Sequence, residues 1–349
     1  MVYQAIANYL QTHITMKTTS SHNLRNTLAG VLAFTLTSAL TTARADSFGS
    51  GGNAFTIDFV TIGDPGNAND SGTTGSYFTP YGGVGYTFQM GTYEISEDMI
   101  NKANTEGGLF ITKDTVGVNK AATSVSWNEA ARFVNWLNVS QSYAPAYKFS
   151  LNPGDVGYVS NTQANTDLVL WTVSDAGYDP SNMYRNSNAH YFLPSENEWY
   201  KAAFYSGSGT TYFDYATGSN TIPTAVASGT LSGTAVYDGV TGAPADITQA
   251  GGLSPYGTMG QDGNVWEWTE SAVFGPNDSS SGARAFRGGF LFGSESLLRS
   301  SVRRGSFPPA SSVDTVGFRV ASVPEPSTTV LMLSASVFAL ARRRRRAAL

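Results

Sequence analysis

The chain has 349 residues, 41% of them hydrophobic, with 37 Gly, 19 Phe, 18 Tyr and 6 Trp against 13% charged residues. That is enough apolar material for one large domain or two modest ones, and it excludes wholesale disorder. There is no cysteine, which excludes disulfides, thiolate zinc and iron–sulfur sites, and cysteine nucleophiles. The formal net charge of −5 is unevenly spread: residues 46–323 hold 13 Lys or Arg against 25 Asp or Glu, a surface that repels phosphate backbones, so no nucleic-acid partner is expected.

Residues 1–45 contain Lys17, Arg25 and Arg44 and no acid. With Met16 as a candidate start, Lys17 to Arg25 make a basic n-region and Leu28 to Leu40 an apolar stretch. Ala43-Arg44-Ala45 fits an A-x-A cleavage site, so this leader is expected to be a secretory signal peptide. Gly, Ser, Asn and Asp dominate residues 46–76, which predicts a flexible lead-in. The segment Phe88 to Ser96 reads as a strand turning into a short helix.

Two helix starts carry a strong local signal. Ser126-Trp127-Asn128-Glu129 and Ser195-Glu196-Asn197-Glu198 each place a serine three residues before a glutamate, the capping-box spacing. Trp127, Ala130, Ala131 and Val134 follow the first at helical spacing, and Trp199, Ala202 and Ala203 the second, so both helices present an apolar stripe to a core. Long stretches such as Ser206 to Tyr256 show no helical period, which predicts short strands and ordered loops.

At the C-terminal end, Val323-Pro324-Glu325-Pro326-Ser327 is followed by an apolar run from Thr328 to Ala341 and by Arg342 to Arg346. As a helix the run rises about 21 Å, short of a roughly 30 Å bilayer core. Snorkelling arginines and local thinning cover part of the gap, and the arginines should stay cytoplasmic.

Motifs in order resemble a known family. They are Val125 to Trp136, Phe192-Leu193-Pro194-Ser195-Glu196-Asn197-Glu198-Trp199, Gly263-Asn264-Val265-Trp266-Glu267-Trp268, Arg284-Ala285-Phe286-Arg287-Gly288-Gly289 and Gly317-Phe318-Arg319-Val320-Ala321. Together, over about residues 77–322, they resemble the formylglycine-generating enzyme, or FGE-sulfatase (sulfatase-modifying factor), domain. The resemblance implies an α+β fold of the divergent C-type-lectin-like kind, with short strands, a few helices and long ordered loops. The tail, residues 323–349, resembles the PEP-CTERM sorting signal of Gram-negative envelope proteins, with Pro324, Glu325 and Pro326 as its motif. This second resemblance implies an exosortase-type sorting enzyme as partner and export to the cell envelope or extracellular matrix. The C-terminal transmembrane helix would sit in the inner membrane, at least until any cleavage.

The family's oxidases hold copper(I) with two cysteines, one of which attacks the substrate. Those positions fall on Ser296 and Ser301, and an alcohol is too hard and too little ionised for copper(I). Iron-dependent relatives need several histidines, whereas His190 is the one histidine beyond the leader, so no copper, iron or zinc is expected. The family's calcium site, carried over, gives the carbonyls of Gly263 and Val265 and the carboxylate of Glu267. Its side-chain position falls on Gly260, with Asp262 as the available substitute. A second calcium site near Asp238 and Asp246 has no clear register. The five tryptophans at 127, 136, 199, 266 and 268 are expected to pack in the core, and Arg287 and Arg319 to anchor loops. The first expectation for function is a non-catalytic exported module that binds a glycan or peptide or serves in the matrix. The alternative is an enzyme of the superfamily with altered, cysteine-independent chemistry.

Overall fold

The computed structural model describes residues 44–72, 80–161 and 167–324. The leader up to residue 43 and the tail from Glu325 onward, including the apolar run and the arginine cluster, lie outside the described residues. No described helix is long and apolar enough to cross a membrane.

The strands in chain order are β1 (Arg44–Phe48), β2 (Phe55–Ile62), β3 (Phe88–Gly91), β4 (Lys148–Phe149), β5 (Leu168–Val169), β6 (Tyr191–Phe192), β7 (Thr224–Ala225), β8 (Thr234–Ala235), β9 (Trp266–Ala272), β10 (Arg284–Arg287), β11 (Arg304–Phe307), β12 (Val316–Gly317) and β13 (Ala321–Ser322). Three α-helices are described: α1 (Glu97–Gly107), α2 (Trp127–Ser140) and α3 (Glu196–Phe204). A five-stranded antiparallel sheet runs β1-β2-β3-β13-β6, and a four-stranded sheet runs β11-β10-β9-β12, with β12 parallel to β9. Strand β13 therefore brings the end of the domain into the middle of the first sheet. Three helices and many short strands make the fold α+β, as the motif order implies.

Both capping boxes form. Ser126 and Ser195 each accept the N3 backbone N–H, and Glu129 and Glu198 each reach back to the N-cap backbone. Helix α1 begins the same way, with the Ser96 side chain accepting from the Met99 backbone, and ends on Gly108 in the left-handed conformation. Between the sheets and α2, one aromatic core forms. Trp127 meets Tyr147 edge-on at 5.1 Å, and Phe133 meets Phe318 at 5.6 Å.

The segment expected to be a flexible lead-in is in part a hairpin. Phe55, Ile57 and Phe59 alternate inward with exposed Thr56 and Asp58, and β2 pairs with β1 on one side and β3 on the other. Glycine- and asparagine-rich flanks mask this two-residue period in a composition window. The turn needs its glycine: Gly49 sits at φ +71°, and a side chain there would meet the Asn53 carbonyl at 2.3 Å. Arg44 and Ala45, inside the expected leader, already pair with Phe59 and Asp58.

Because Phe59 is fully buried, Phe59→Ala should cost about 3–5 kcal/mol of stability, read by urea denaturation. A flexible lead-in would give no change.

Candidate functional site

Loops surround the two sheets, and buried or half-buried arginines tie them together in three nodes. In the first, Glu267 on β9 receives both forks of Arg319, which lies between β12 and β13: Nε donates to Oε2 and Nη2 to Oε1, each at 2.6 Å. The Trp199 indole on α3 donates to the same Oε2 at 2.7 Å. The remaining Arg319 donors reach the carbonyls of Gly91 at 2.9 Å, Thr92 at 3.2 Å and Met259 at 2.7 Å. Neither charged side chain has exposed surface. Burial by itself would lower the Arg319 pKa, but the Glu267 charge and hydrogen bonds hold it above its ordinary value.

In the second node, Glu196 at the start of α3 pairs with Arg287 of β10 at 2.6 Å and with Arg303 at 2.7 Å. Arg287 also donates to the carbonyls of Ser300 and Val302, and Arg303 to those of Ala272 and Val273. In the third, Arg185 bridges Glu198 of α3 and Glu270 of β9, at 2.9 and 2.7 Å. Tyr86 donates to Glu198 at 2.6 Å and Tyr147 to Glu270 at 2.8 Å. Burial is the strongest influence on Glu198 and opposes its charge, yet Arg185 together with hydrogen bonds from Tyr86 and the Ser195 backbone draws the carboxyl below its usual range.

Of the four residues expected to hold calcium, Glu267 does not fit that ion. Calcium takes roughly six to eight oxygens, and both Glu267 oxygens are spent on Arg319 and Trp199, so a second cation there would meet a guanidinium. The Gly263 backbone N–H binds the Gly288 carbonyl at φ +88°, and Val265 packs in a small apolar cluster with Ala121 and Ile247. Asp262 is turned to the Thr217 backbone N–H at 3.0 Å. Among the described residues, no group of three or more His, Asp or Glu side chains is set to hold a metal. In the second stretch, Asp246 pairs with Lys120.

The missing side chain at Gly260 has a structural reason. A Cβ there would lie 2.4 Å from the Glu94 carboxylate. Glu94 is buried and accepts from the Asn264 amide at 2.8 Å through Oε1. Its Oε2 and the Asp262 Oδ1 are both sealed from solvent without a hydrogen-bond partner. Burial, reinforced by the Glu267 charge and opposed by Arg319, pushes the Glu94 carboxyl up to about 7. Burial does the same for Asp262, also to about 7, against two backbone hydrogen bonds.

Ser296 and Ser301 sit on the β10–β11 connection. Ser296 is exposed, in a single 3-10 turn, and its hydroxyl pairs with that of Ser294 at 2.7 Å. Ser301 is half-buried. His190 lies elsewhere, next to β6, stacked on Tyr143 at 4.5 Å and edge-on to Tyr191 at 4.6 Å. Trp266 and Trp268 pack on Phe286, each at 5.4 Å, and the Trp127 and Trp268 indoles donate to the Thr269 and Val125 carbonyls. Pro324 is exposed, while Glu325 and Pro326 lie outside the described residues. Motif reading missed Glu94, Arg185 and Glu270, whose partners are distant along the chain and which stand in no recognisable local pattern.

Comparisons with known proteins bear on the family and the fold. Residues 84–323 match the family model of the sulfatase-modifying factor enzyme 1-like domain, and residues 322–346 match the PEP-CTERM protein-sorting motif. Among solved structures, Treponema denticola variable protein 1 is 20% identical, with a TM-score of 0.55 over 81% of this chain and 100% of that one. CarF is 18% identical, with a TM-score of 0.53 over 77% of this chain and 99% of that one. Both likenesses are of fold. No curated protein matches the chain.

Glu267→Gln leaves Arg319 buried without its counter-charge and should cost about 3–5 kcal/mol, measured by urea denaturation. Calcium and chelator should leave the melting temperature of the parent protein unchanged, and a calcium-dependent rise would show that Glu267 exchanges partners. Glu94 and Asp262 titrate near 7 when folded and near 4 when unfolded. The folded state therefore holds more protons across that window, so their contribution to stability falls as pH rises from about 4 through about 7. Glu94→Gln and Asp262→Asn should flatten this decline, gaining on the parent at pH 8 but not at pH 4 in paired denaturation curves.

Proposed function

Since the chain belongs to the sulfatase-modifying factor enzyme 1-like domain family, we propose that it is a member that has kept the fold and gone over from catalysis to binding. The family domain and the PEP-CTERM motif make it an exported, envelope-sorted protein, handled by an exosortase-type sorting enzyme. Within that frame the domain acts as a non-catalytic module that binds a glycan or peptide or is built into the extracellular matrix.

The observation that carries this reading is the pair Ser296 and Ser301. Copper(I) needs soft thiolates, and a hydroxyl with a pKa far above neutrality supplies neither the ligand nor the nucleophile. Serine catalysis would need a base within reach. The exposed Ser296 hydroxyl pairs with another serine, and the His190 ring is packed among tyrosines beside β6. Two carboxylates of the family motifs are also committed: Glu196 faces two arginines, and Glu267 faces one arginine and one indole.

One observation favours the second reading, an enzyme with cysteine-independent chemistry. Glu94 and Asp262 have carboxyls raised to about 7, the range suited to proton transfer at neutral pH. Their unpartnered oxygens are sealed from solvent, which weighs against contact with a substrate and favours the binding module.

The full-length chain, incubated with a cysteine-containing sulfatase peptide, copper and oxygen, should give no formylglycine product above the protein-free blank by mass spectrometry. Steady turnover would overturn the non-catalytic reading.

A further inference from the structure

A polar cleft of about 520 Å³ opens where α3, the loop before β6 and the β9–β10 turn meet. Its size is ordinary for a small-ligand site. Tyr86, Asp179, Asn182, Arg185, Asn197 and Asn277 line it, and none of the lining residues comes from the segment that carries Ser296 and Ser301.

The floor is rigid and electrostatically closed. The Arg185 guanidinium lies over the Phe192 ring at 3.8 Å and spends its donors on Glu198, Glu270 and the Leu193 carbonyl. It has little left for a phosphate, sulfate or carboxylate. One guanidinium faces two carboxylates there, and Asp179 adds another negative charge, so an anion is disfavoured. A metal cation fares no better, because both floor carboxylates already accept from Arg185, Asn182 and two tyrosines.

Above that floor stand neutral groups held in position but only partly used. Asn182 Nδ2 donates to Glu270 at 2.5 Å, and its carbonyl accepts from Asn277 at 2.9 Å. Asn277 in turn accepts from the Ala272 backbone at 2.9 Å. Each of these amides has a second N–H to offer. Asn197 accepts from the Gly82 backbone through Oδ1 and is exposed. Asp179 uses one oxygen to brace the Ser181 turn, leaving the other as an acceptor. At the rim Tyr86 is half exposed, its hydroxyl tied to Glu198 and its ring edge-on to Phe88.

Fixed amide donors, one carboxylate acceptor and an anchored aromatic face suit a ligand with adjacent hydroxyls on one side and a C–H surface on the other. We propose that this cleft binds a neutral saccharide, with Asp179 and the asparagine amides on its hydroxyls and the Tyr86 ring against its C–H face. The assignment rests on the binding-module reading and names the ligand class and site for it. It requires no metal.

The test is a glycan array probed with the full-length chain in detergent, with and without chelator, using parent, Tyr86→Ala, Asp179→Asn and, as a control on the β10–β11 connection, Phe292→Ala. Melting temperatures are measured alongside. Saturable binding to neutral glycans that survives chelator, competes with free sugar and weakens at least tenfold in Tyr86→Ala and Asp179→Asn is the expected result. Phe292→Ala should match the parent. Asp179→Asn decides the matter if Tyr86→Ala melts early, because asparagine keeps the Ser181 turn and replaces only the acceptor oxygen. A blank array, preference for sulfated or sialylated glycans alone, or parent-like binding by both cleft variants would overturn the assignment. Neutral-glycan binding lost only in Phe292→Ala would move the site and leave the binding module standing. A blank array together with formylglycine turnover would sink both.

Discussion

The Glu267–Arg319 pair ties the two sheets to each other, to a loop and to a helix. Through five hydrogen bonds Arg319 holds β9, the end of β3 and the loop at Met259, and Glu267 in turn takes the indole of α3. A charge pair with no exposed surface costs a large desolvation energy, and it is tolerated only where geometry and extra hydrogen bonds satisfy every donor and lone pair. That condition explains why the carboxylate stays with its arginine.

The same device recurs because the fold has little regular secondary structure. Long loops leave buried carbonyls without ladder partners, and an unpaired buried carbonyl is costly. A guanidinium carries five donors in a rigid fork, enough to neutralise a carboxylate and still reach two or three carbonyls. Arg287, Arg303 and Arg319 all do both. Arg284 is the variation: it is buried between the rings of Trp127 and Tyr184, at 4.5 and 3.9 Å, and binds loop carbonyls. Burial draws its pKa down to about 10, so it still keeps its charge at neutral pH.

This arrangement separates scaffold from surface. The acids and arginines of the recognisable motifs hold the loops, and the thiolate positions of the family chemistry are hydroxyls on the β10–β11 connection. Space open to a ligand lies at the margin of one node. The Arg185 cleft is such a margin: the node beneath it fixes asparagine amides and a tyrosine ring while being itself saturated. Changes at such a rim leave in place the buried charges that keep the domain folded.

Local chemistry was legible from the residues alone. The helix starts at Ser126 and Ser195 depend on contacts three residues apart, the missing thiols follow from counting, and the order of five motifs identifies the family and its α+β architecture. The tail motif is likewise contiguous. The tertiary structure decided what depends on distant partners. Glu267 reaches Arg319 across 52 positions and Arg185 reaches Glu270 across 85, so a carboxylate that resembles a calcium ligand in its motif becomes half of an ion pair in the fold. The β1–β2 hairpin was hidden because its period of two lies between glycine-rich flanks, and only pairing with β3 gives that alternation a buried face. Sequence periodicity reports which side of an element is apolar, whereas the partner of a buried charge is set by the path of the whole chain.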